Sequence, residues 1–148
     1  MKAFRFRLDP VVRYRRYLEQ TALMDLAKAK QSLDRIQKKI ETLKQELLWA
    51  DKQLCSEEEQ GIDVGRHRIY VAYLRGLNQR IAVESNRLVE QEAVVREKEK
   101  AVKAQRTKRR SLEQLREKAF GRYEKHVRAE EQKAADELVS LRWRVETR

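Results

Sequence analysis

The sequence predicts an all-α protein folded as one long antiparallel two-helix coiled coil, a helical hairpin whose second helix is the longer. Three observations lead to this prediction. The 148 residues include one proline and four glycines, and 40% of them are charged, which is typical of coiled coils and long helices. Apolar residues in the first third of the chain recur at heptad spacing. Two closely spaced glycines, Gly61 and Gly65, mark one place where the chain can reverse.

The first helix is expected from about residue 10 to about residue 57. Pro10 stands in the first turn of this helix, where proline is tolerated, and Asp9 before it is a suitable N-cap. Apolar steps then alternate between three and four residues, as in the seam of a left-handed coiled coil. This regularity favours an ordered helix over a disordered charged chain. The seam consists of Leu26, Ala29, Leu33, Ile36, Ile40, Leu43, Leu47, Ala50 and Leu54.

The turn is expected at residues 60–65. Residues 57–59 are all glutamates, which are unfavourable at the negative end of a helix dipole and indicate that the first helix ends there. Asp63 can cap a second helix, predicted from about 66 to about 146. Residues 1–148 would then form a single elongated coiled-coil domain.

The seam of the second helix is weaker than that of the first. Its alternate positions are predicted to be the polar residues Ser85, Glu92 and Glu99. The last residues of this helix, about 25 of them, have no counterpart in the first helix and should extend beyond the hairpin by roughly 35 to 40 Å. An apolar stripe left on this overhang would need a partner. The apolar repeat of the second helix is Leu74, Ile81, Leu88, Val95 and Val102, and the stripe on the overhang is Ala134, Leu138, Leu141 and Val145.

Positive charge collects at the end of the hairpin away from the turn. Residues 2–16 contain six basic residues and one acid, and residues 103–110 contain five basic residues and no acid. Because the hairpin should place Arg16 opposite Arg110, the two runs are expected to merge and attract acidic partners. Solvated faces of a coiled coil are the simpler account of most individual arginines. Nucleic acid is not the expected partner, since glutamates interrupt nearly every basic stretch and no nucleic-acid-binding module is recognisable.

The sequence offers little for catalysis or metal binding. His67 and His126 lie far apart, without the cysteine pair that would complete a zinc site. Cys55 is the single cysteine and cannot form an internal disulfide, which suits a reducing compartment such as the cytoplasm. No apolar run is long enough to span a membrane, and arginines interrupt any N-terminal secretory signal. We therefore expect no enzyme, no cofactor, no metal and no transmembrane segment.

Aromatic residues cluster near the turn. Tyr70, Tyr73 and Leu77 have helical spacing and are expected towards the flank of the seam. Gly76 lies in mid-helix, where glycine costs about 1 kcal/mol relative to alanine, which suggests that it lets another surface approach. Two interpretations are open: the tyrosines form part of a docking patch, or they only cover the end of the seam. Trp49 lies off the seam of the first helix near the same end, and its position favours the docking patch.

Taken together, these patterns resemble the flagellar export protein FliJ family over the whole chain. The similarity lies in an opening Phe-x-Phe-x-Leu-x-x-Val-Val-x-x-Arg with Glu19 following, an uninterrupted helix, a Gly-Ile turn, and Tyr-x-x-Tyr-x-x-x-Leu-x-x-x-Ile. The opening is formed here by Phe4, Phe6, Leu8, Val11, Val12 and Arg15 or Arg16.

The resemblance implies a component of the flagellar type III export apparatus, with a role in motility and chemotaxis. Members form a two-helix coiled coil similar to the γ subunit of rotary ATPases. They enter the pore of the hexameric export ATPase FliI and promote its assembly. They also contact the cytoplasmic region of the export gate protein FlhA and bind export chaperones, which implies a cytoplasmic protein associated peripherally with the inner face of the cell membrane.

Three sets of contact residues are expected from the resemblance and from the charge pattern. Among the residues expected to bind the export gate, those on the first helix match the family pattern less well. Tyrosines expected near the turn are absent, and Trp49 is displaced by about one residue. We expect a monomer when free, whereas a generic coiled-coil scaffold, the alternative, would homodimerise through its overhang. The gate set is Tyr70, Tyr73, Leu77, Ile81, Leu43 and Trp49; the ATPase set is Arg13, Arg15, Arg16, Arg106, Arg109 and Arg110; the set closing the hairpin end is Phe4, Phe6 and Leu8.

Overall fold

The fold is a pair of long helices, seen in a computed structural model that describes residues 3–146. Helix α1 spans Asp9–Gln60 and helix α2 spans Val64–Glu146, and the described residues contain no strand. The helices pack against each other and run antiparallel, so the predicted all-α hairpin is confirmed. Neither helix has a stretch within the described part of the chain that is long and apolar enough to cross a membrane.

Helix α1 continues through the glutamates that were expected to end it. Glu57 forms two contacts with the guanidinium of Arg66, at 3.1 and 3.0 Å. Glu58 Oε1 lies 3.1 Å from Nε2 of His67. The first turn of α2 therefore supplies partners for the acidic run, and this explains why the repulsion expected at the helix dipole does not stop α1 before Gln60.

The connection between the helices is three residues long, Gly61–Asp63. Gly61 has a φ of +89°, a left-handed conformation that glycine adopts without strain. Its N–H donates to the carbonyl oxygen of Glu58 at 3.2 Å. Asp63 Oδ2 accepts a hydrogen bond from the N–H of Gly65 at 3.1 Å, which is the predicted N-cap. Both ends of the turn are thus fixed by local chemistry.

The start of α1 differs from the prediction. The carbonyl of Leu8 accepts the first helical hydrogen bond, from the N–H of Val12 at 2.9 Å, so Leu8 and not Asp9 occupies the N-cap position. Asp9 lies in the first turn, where a carboxylate is favourable to the helix dipole. Its Oδ1 is 3.1 Å from Nε of Arg116, so a contact with α2 replaces the predicted local cap.

The chain separates into two compact units. One unit contains the residues up to Gln20 together with those from Ala104 onward, and the other is Thr21–Lys103. In the second unit Leu77 is only 1% exposed and lies at the centre of the core. The predicted α1 seam lines this core, as expected from its heptad spacing. The cluster consists of Leu43, Ala50 and Leu77, with Leu47, Leu74 and Ile81 packed against it.

After Leu77, every second seam position of α2 is polar, as predicted, but the residues at these positions are not the predicted ones. The buried Leu77 sets this row, and successive members follow it at intervals of seven. The predicted row was wrong by one position, because the sequence pattern alone did not show which of two adjacent residues faces α1. The observed row is Glu84, Gln91 and Lys98, where the prediction had Ser85, Glu92 and Glu99.

Each member of this polar row has a partner on α1. Glu84, 6% exposed, accepts a hydrogen bond from Lys39 Nζ at 2.6 Å. This bond, more than any other influence, lowers the pKa of Glu84. Gln91 Nε2 donates to a main-chain carbonyl of α1 at 3.0 Å, and Lys98 Nζ is 4.0 Å from Asp25. Paired polar groups thus replace apolar packing at these seam positions.

Candidate protein-docking surfaces

A buried glutamate organises the arginines at the end of the hairpin in the first unit. Glu19 is 8% exposed, and its Oε1 is 3.2 Å from Nε of Arg106. Its Oε2 pairs with Nε of Arg109, which also pairs with Glu113 one turn along α2. Glu113 Oε1 accepts a further contact from Arg16 at 2.9 Å. Three of the six arginines predicted to contact an ATPase are therefore engaged in joining α1 to α2.

These contacts keep the central carboxylate charged. The hydrogen bond from Arg109 is the main influence that holds the pKa of Glu19 below its ordinary value. The same hydrogen bond raises the pKa of Arg109. Burial acts in the opposite direction on both groups but does not outweigh the pairing. The Glu19 cluster, meaning Glu19 with Arg16, Arg106, Arg109 and Glu113, is thus an ionised clamp at neutral pH.

The other three predicted arginines remain uncommitted. Arg13 and Arg110 are exposed and Arg15 is half-buried, and none of them forms an ion pair within residues 3–146. Arg16 does not face Arg110, as was predicted, but pairs with Glu113. An acid at that place avoids a contact between like charges across the hairpin. Arg13, Arg15 and Arg110 therefore add positive charge beside the Glu19 cluster, in which three arginines already outnumber two glutamates.

The N-terminal segment is held to α2 by aromatic contacts. The ring of Phe4 meets that of Phe120 edge-on, with centroids 5.1 Å apart, and lies 5.5 Å from the ring of Tyr123. Such aromatic pairs stabilise beyond the area that they bury. Phe6 is half-buried, whereas Leu8 is 38% exposed. Of the residues predicted to close the hairpin end, Phe4 makes the clearest contact with α2.

A groove in the second unit lies beside Gly76. It has a volume of about 740 Å³. A Cβ placed on Gly76 would meet nothing within 4 Å, so packing within the chain does not require glycine here. Val83, on the wall of the groove, is 52% exposed. The lining residues are Lys39, Leu43, Gly76, Gln79, Arg80, Val83, Glu84 and Arg87.

Further exposed apolar residues lie on the face of α2 that carries Gly76 and Val83. Tyr73 is 45% exposed and Ile69 is 70% exposed. Together with Gly76 and Val83 they follow helical spacing along one face. The sequence reasoning missed Ile69 and Val83, although their spacing from Tyr73 was a signal that could have found them. On α1, Trp49 is also exposed.

Tyr70 takes part in the ion-pair network at the turn. Its hydroxyl donates to Glu57 Oε1 at 2.9 Å. This hydrogen bond to a carboxylate is the chief reason why the pKa of Tyr70 is raised. Since the ring is half-buried and its hydroxyl is already bonded, Tyr70 helps to close the turn.

One comparison with known proteins identifies the family of this chain. The sequence model of a family described as "Flagellar FliJ protein" matches residues 4–148. The chain belongs to the FliJ family. It is therefore a component of flagellar protein export. Searches of curated proteins and of solved structures gave no match.

The gate-binding residues implied for a FliJ family member divide into two groups in the structure. Leu43 and Leu77 are buried and Ile81 packs against them. The expectation that Leu77 lies towards the flank of the seam is wrong, because Leu77 itself occupies the seam. Tyr73 and Trp49 remain largely exposed. Any docking role of Leu77 would therefore act through the shape of the hairpin and not through an exposed side chain.

A second exposed surface of this FliJ family member lies near the end of α2. Every residue from Arg128 to Trp143 is exposed. This stretch, called the overhang, includes Leu138 at 66% and Leu141 at 56% exposure. Its local contacts lie between neighbouring turns: Lys133 Nζ is 3.3 Å from Glu130, and Gln132 Nε2 donates to Asp136 Oδ1 at 2.9 Å. Of the apolar stripe predicted from the sequence, Ala134, Leu138 and Leu141 are thus exposed, and the side chain of Val145 lies outside the described side chains.

Proposed function

We propose that this FliJ family protein is a stalk that binds the hexameric export ATPase FliI and promotes its assembly. It also connects the ATPase to the export gate protein FlhA and escorts export chaperones. The protein acts in the cytoplasm, peripherally associated with the inner face of the membrane at the flagellar base. The observation that carries the proposal is that the Glu19 cluster joins α1 to α2 at this end of the hairpin, while Arg13, Arg15 and Arg110 form no ion pair within residues 3–146.

The Glu19 cluster gives this end of the hairpin a defined shape. Arg106 and Arg109, from α2, meet one carboxylate of α1, so the helices cannot slide past each other without breaking charge-assisted contacts. A stalk that acts on a surrounding ring needs its two helices held in one fixed register. Exposed Arg13 and Arg110 are free to contact acidic loops of a surrounding ring.

The groove beside Gly76 suits the contact with the gate. Its floor includes Leu43, and its rim carries Arg80 and Arg87. Exposed Tyr73 extends the apolar part of this surface. Aromatic and arginine residues are enriched among those that dominate protein interfaces. The groove and Tyr73 together form the proposed gate-docking surface.

The ATPase contact is tested by reversing the uncommitted arginines. In a triple variant, Arg13→Glu, Arg15→Glu and Arg110→Glu, we expect loss of ATPase stimulation with helicity unchanged, because these residues form no ion pair within residues 3–146. The measurement is the rate of ATP hydrolysis by purified FliI with and without the variant, combined with circular dichroism.

A matched control reverses three exposed lysines of α1 in the other unit: Lys28→Glu, Lys44→Glu and Lys52→Glu. It changes the net charge by the same amount, and we expect stimulation to persist. Unchanged stimulation by the arginine variant would remove the assignment. Equal loss in both variants would show that net charge, and not this surface, governs the effect.

A further inference from the structure

An exposed face of α1 in the first unit carries two tyrosines. Tyr14 is 57% exposed and Tyr17 is 64% exposed. The side of α1 that meets α2 is marked by Val12 and Glu19, which are both buried. Tyr14 comes two residues after Val12, and Tyr17 two residues before Glu19. Two residues are a rotation of about 200° around a helix, so both tyrosines lie on the side away from α2. Packing between the helices does not require tyrosine at either position.

Arg13 lies on the same face as the two tyrosines. It is four residues before Tyr17, and Tyr14 is three residues before Tyr17. Residues three or four apart are neighbours on a helix surface, so the three side chains form one continuous patch, called the tyrosine face. Arg13 is exposed and forms no ion pair within residues 3–146. Tyrosine and arginine are both enriched among the residues that dominate the affinity of protein interfaces.

Positive charge is concentrated around the tyrosine face. Residues 4–20 and 104–123 contain twelve basic and four acidic residues, which accounts for most of the formal net charge of +11. The acids of α1 in this unit are already engaged, because Asp9 and Glu19 both pair with arginines of α2. A second copy docked through the same face would bring like charges together, which is costly at an interface. The tyrosine face therefore suits a partner surface that is acidic.

We propose that Tyr14 and Tyr17 dock on an apolar patch of the export ATPase that is bordered by acidic residues. The inference rests on the proposed function, in which Arg13 already contacts that ATPase, and it assigns different roles to the side chains. The tyrosines bury apolar area and supply most of the affinity. Arg13 pairs with an acidic residue at the border of the patch and steers the encounter.

The test measures the concentration of the protein that gives half-maximal stimulation of the purified export ATPase. In the double variant Tyr14→Ser, Tyr17→Ser we expect this concentration to rise about tenfold. Serine and tyrosine have similar helix propensities, so helicity measured by circular dichroism should not change. Added salt should still raise the half-maximal concentration, because the arginines remain. In the variant Arg13→Gln the effect of salt should instead be smaller.

A matched control removes apolar side chains of similar exposure from the other unit. Leu48 is 57% exposed and Val89 is 62% exposed, and neither belongs to a proposed contact. We expect the double variant Leu48→Ser, Val89→Ser to stimulate the ATPase at the same half-maximal concentration as the unaltered protein. Equal weakening in the control and in the tyrosine variant would overturn the inference, because exposed apolar area in general would then govern the effect.

The remaining outcomes separate this inference from the function on which it rests. If the unaltered protein does not stimulate the ATPase, the proposed function fails and the inference fails with it. If the unaltered protein stimulates and the tyrosine variant has the same half-maximal concentration, the inference alone fails. In that case, binding to vesicles of anionic phospholipid or to duplex DNA that the tyrosine variant loses would assign the face to a membrane or to nucleic acid. A dimer in sedimentation that the tyrosine variant loses would assign it to a second copy.

Discussion

The substitution Leu77→Ala tests the register of the hairpin. The structure places Leu77 at the centre of the core of the second unit, 1% exposed, in a cluster with Leu43 and Ala50. If Leu77 were exposed on a docking patch, the substitution would have little effect on the free energy of unfolding. A seam position predicts a large one, because the substitution removes buried methyl groups and leaves a cavity.

The magnitude follows from the packing around Leu77. Leucine-to-alanine substitutions in closed cores cost about 2–5 kcal/mol. The seam of two helices is open to water at its edges, so part of the cavity can collapse, and we expect the lower part of this range, about 2–3 kcal/mol. For a protein of this size that loss lowers the melting temperature by about 4–12 °C.

The assay is urea and thermal unfolding followed by circular dichroism. Val83→Ala is the control, because Val83 lies on the same helix but is 52% exposed, and its cost should be within about 0.5 kcal/mol. If Leu77→Ala costs no more than Val83→Ala, Leu77 is not in the seam and the register described above is incorrect.

Two further predictions concern the Glu19 cluster and the groove. The folded-state pKa of Glu19 is lowered from 4.5, so its pairing stabilises the protein above that pH and the contribution is lost as pH falls through the lowered value. We expect Glu19→Gln to flatten this acid-dependent loss in unfolding measured from neutral to acid pH, and an unaltered pH profile would contradict the assignment. Gly76→Ala should raise helix stability by about 1 kcal/mol yet weaken binding of the cytoplasmic region of FlhA, because the new methyl group enters the open groove. Calorimetry showing unchanged affinity would exclude Gly76 from the gate-docking surface.

The turn and the α1 seam show what could be predicted from local sequence. Gly61 and Asp63 fix the reversal through their own backbone and side-chain preferences, which need no tertiary context. The heptad spacing of α1 likewise places its apolar residues on one face wherever the helix forms. The end of α1 was placed too early, because the prediction considered the helix dipole without the basic first turn of α2.

The functional surfaces were only partly predictable. The six arginines were correctly recognised as clustered at one end, but the sequence could not separate Arg16, which is paired, from Arg13, which is not. That division depends on Glu113 lying opposite α1. In the gate set, Leu77 was assigned to the flank of the seam. A small rotation of α2 about its axis decides whether Leu77 faces the seam or its flank, and the sequence does not specify that rotation.

The sequence by itself determined that this protein is a helical hairpin, where it reverses, and that its longer helix carries an apolar stripe beyond the reach of the shorter one. Spacing, glycine and capping preferences are local, so they act before the helices meet. Only the tertiary structure decided which of two adjacent residues enters the seam and which charges neutralise each other. Those choices depend on the rotation and register of one helix against the other, and neither is written in the pattern of a single helix.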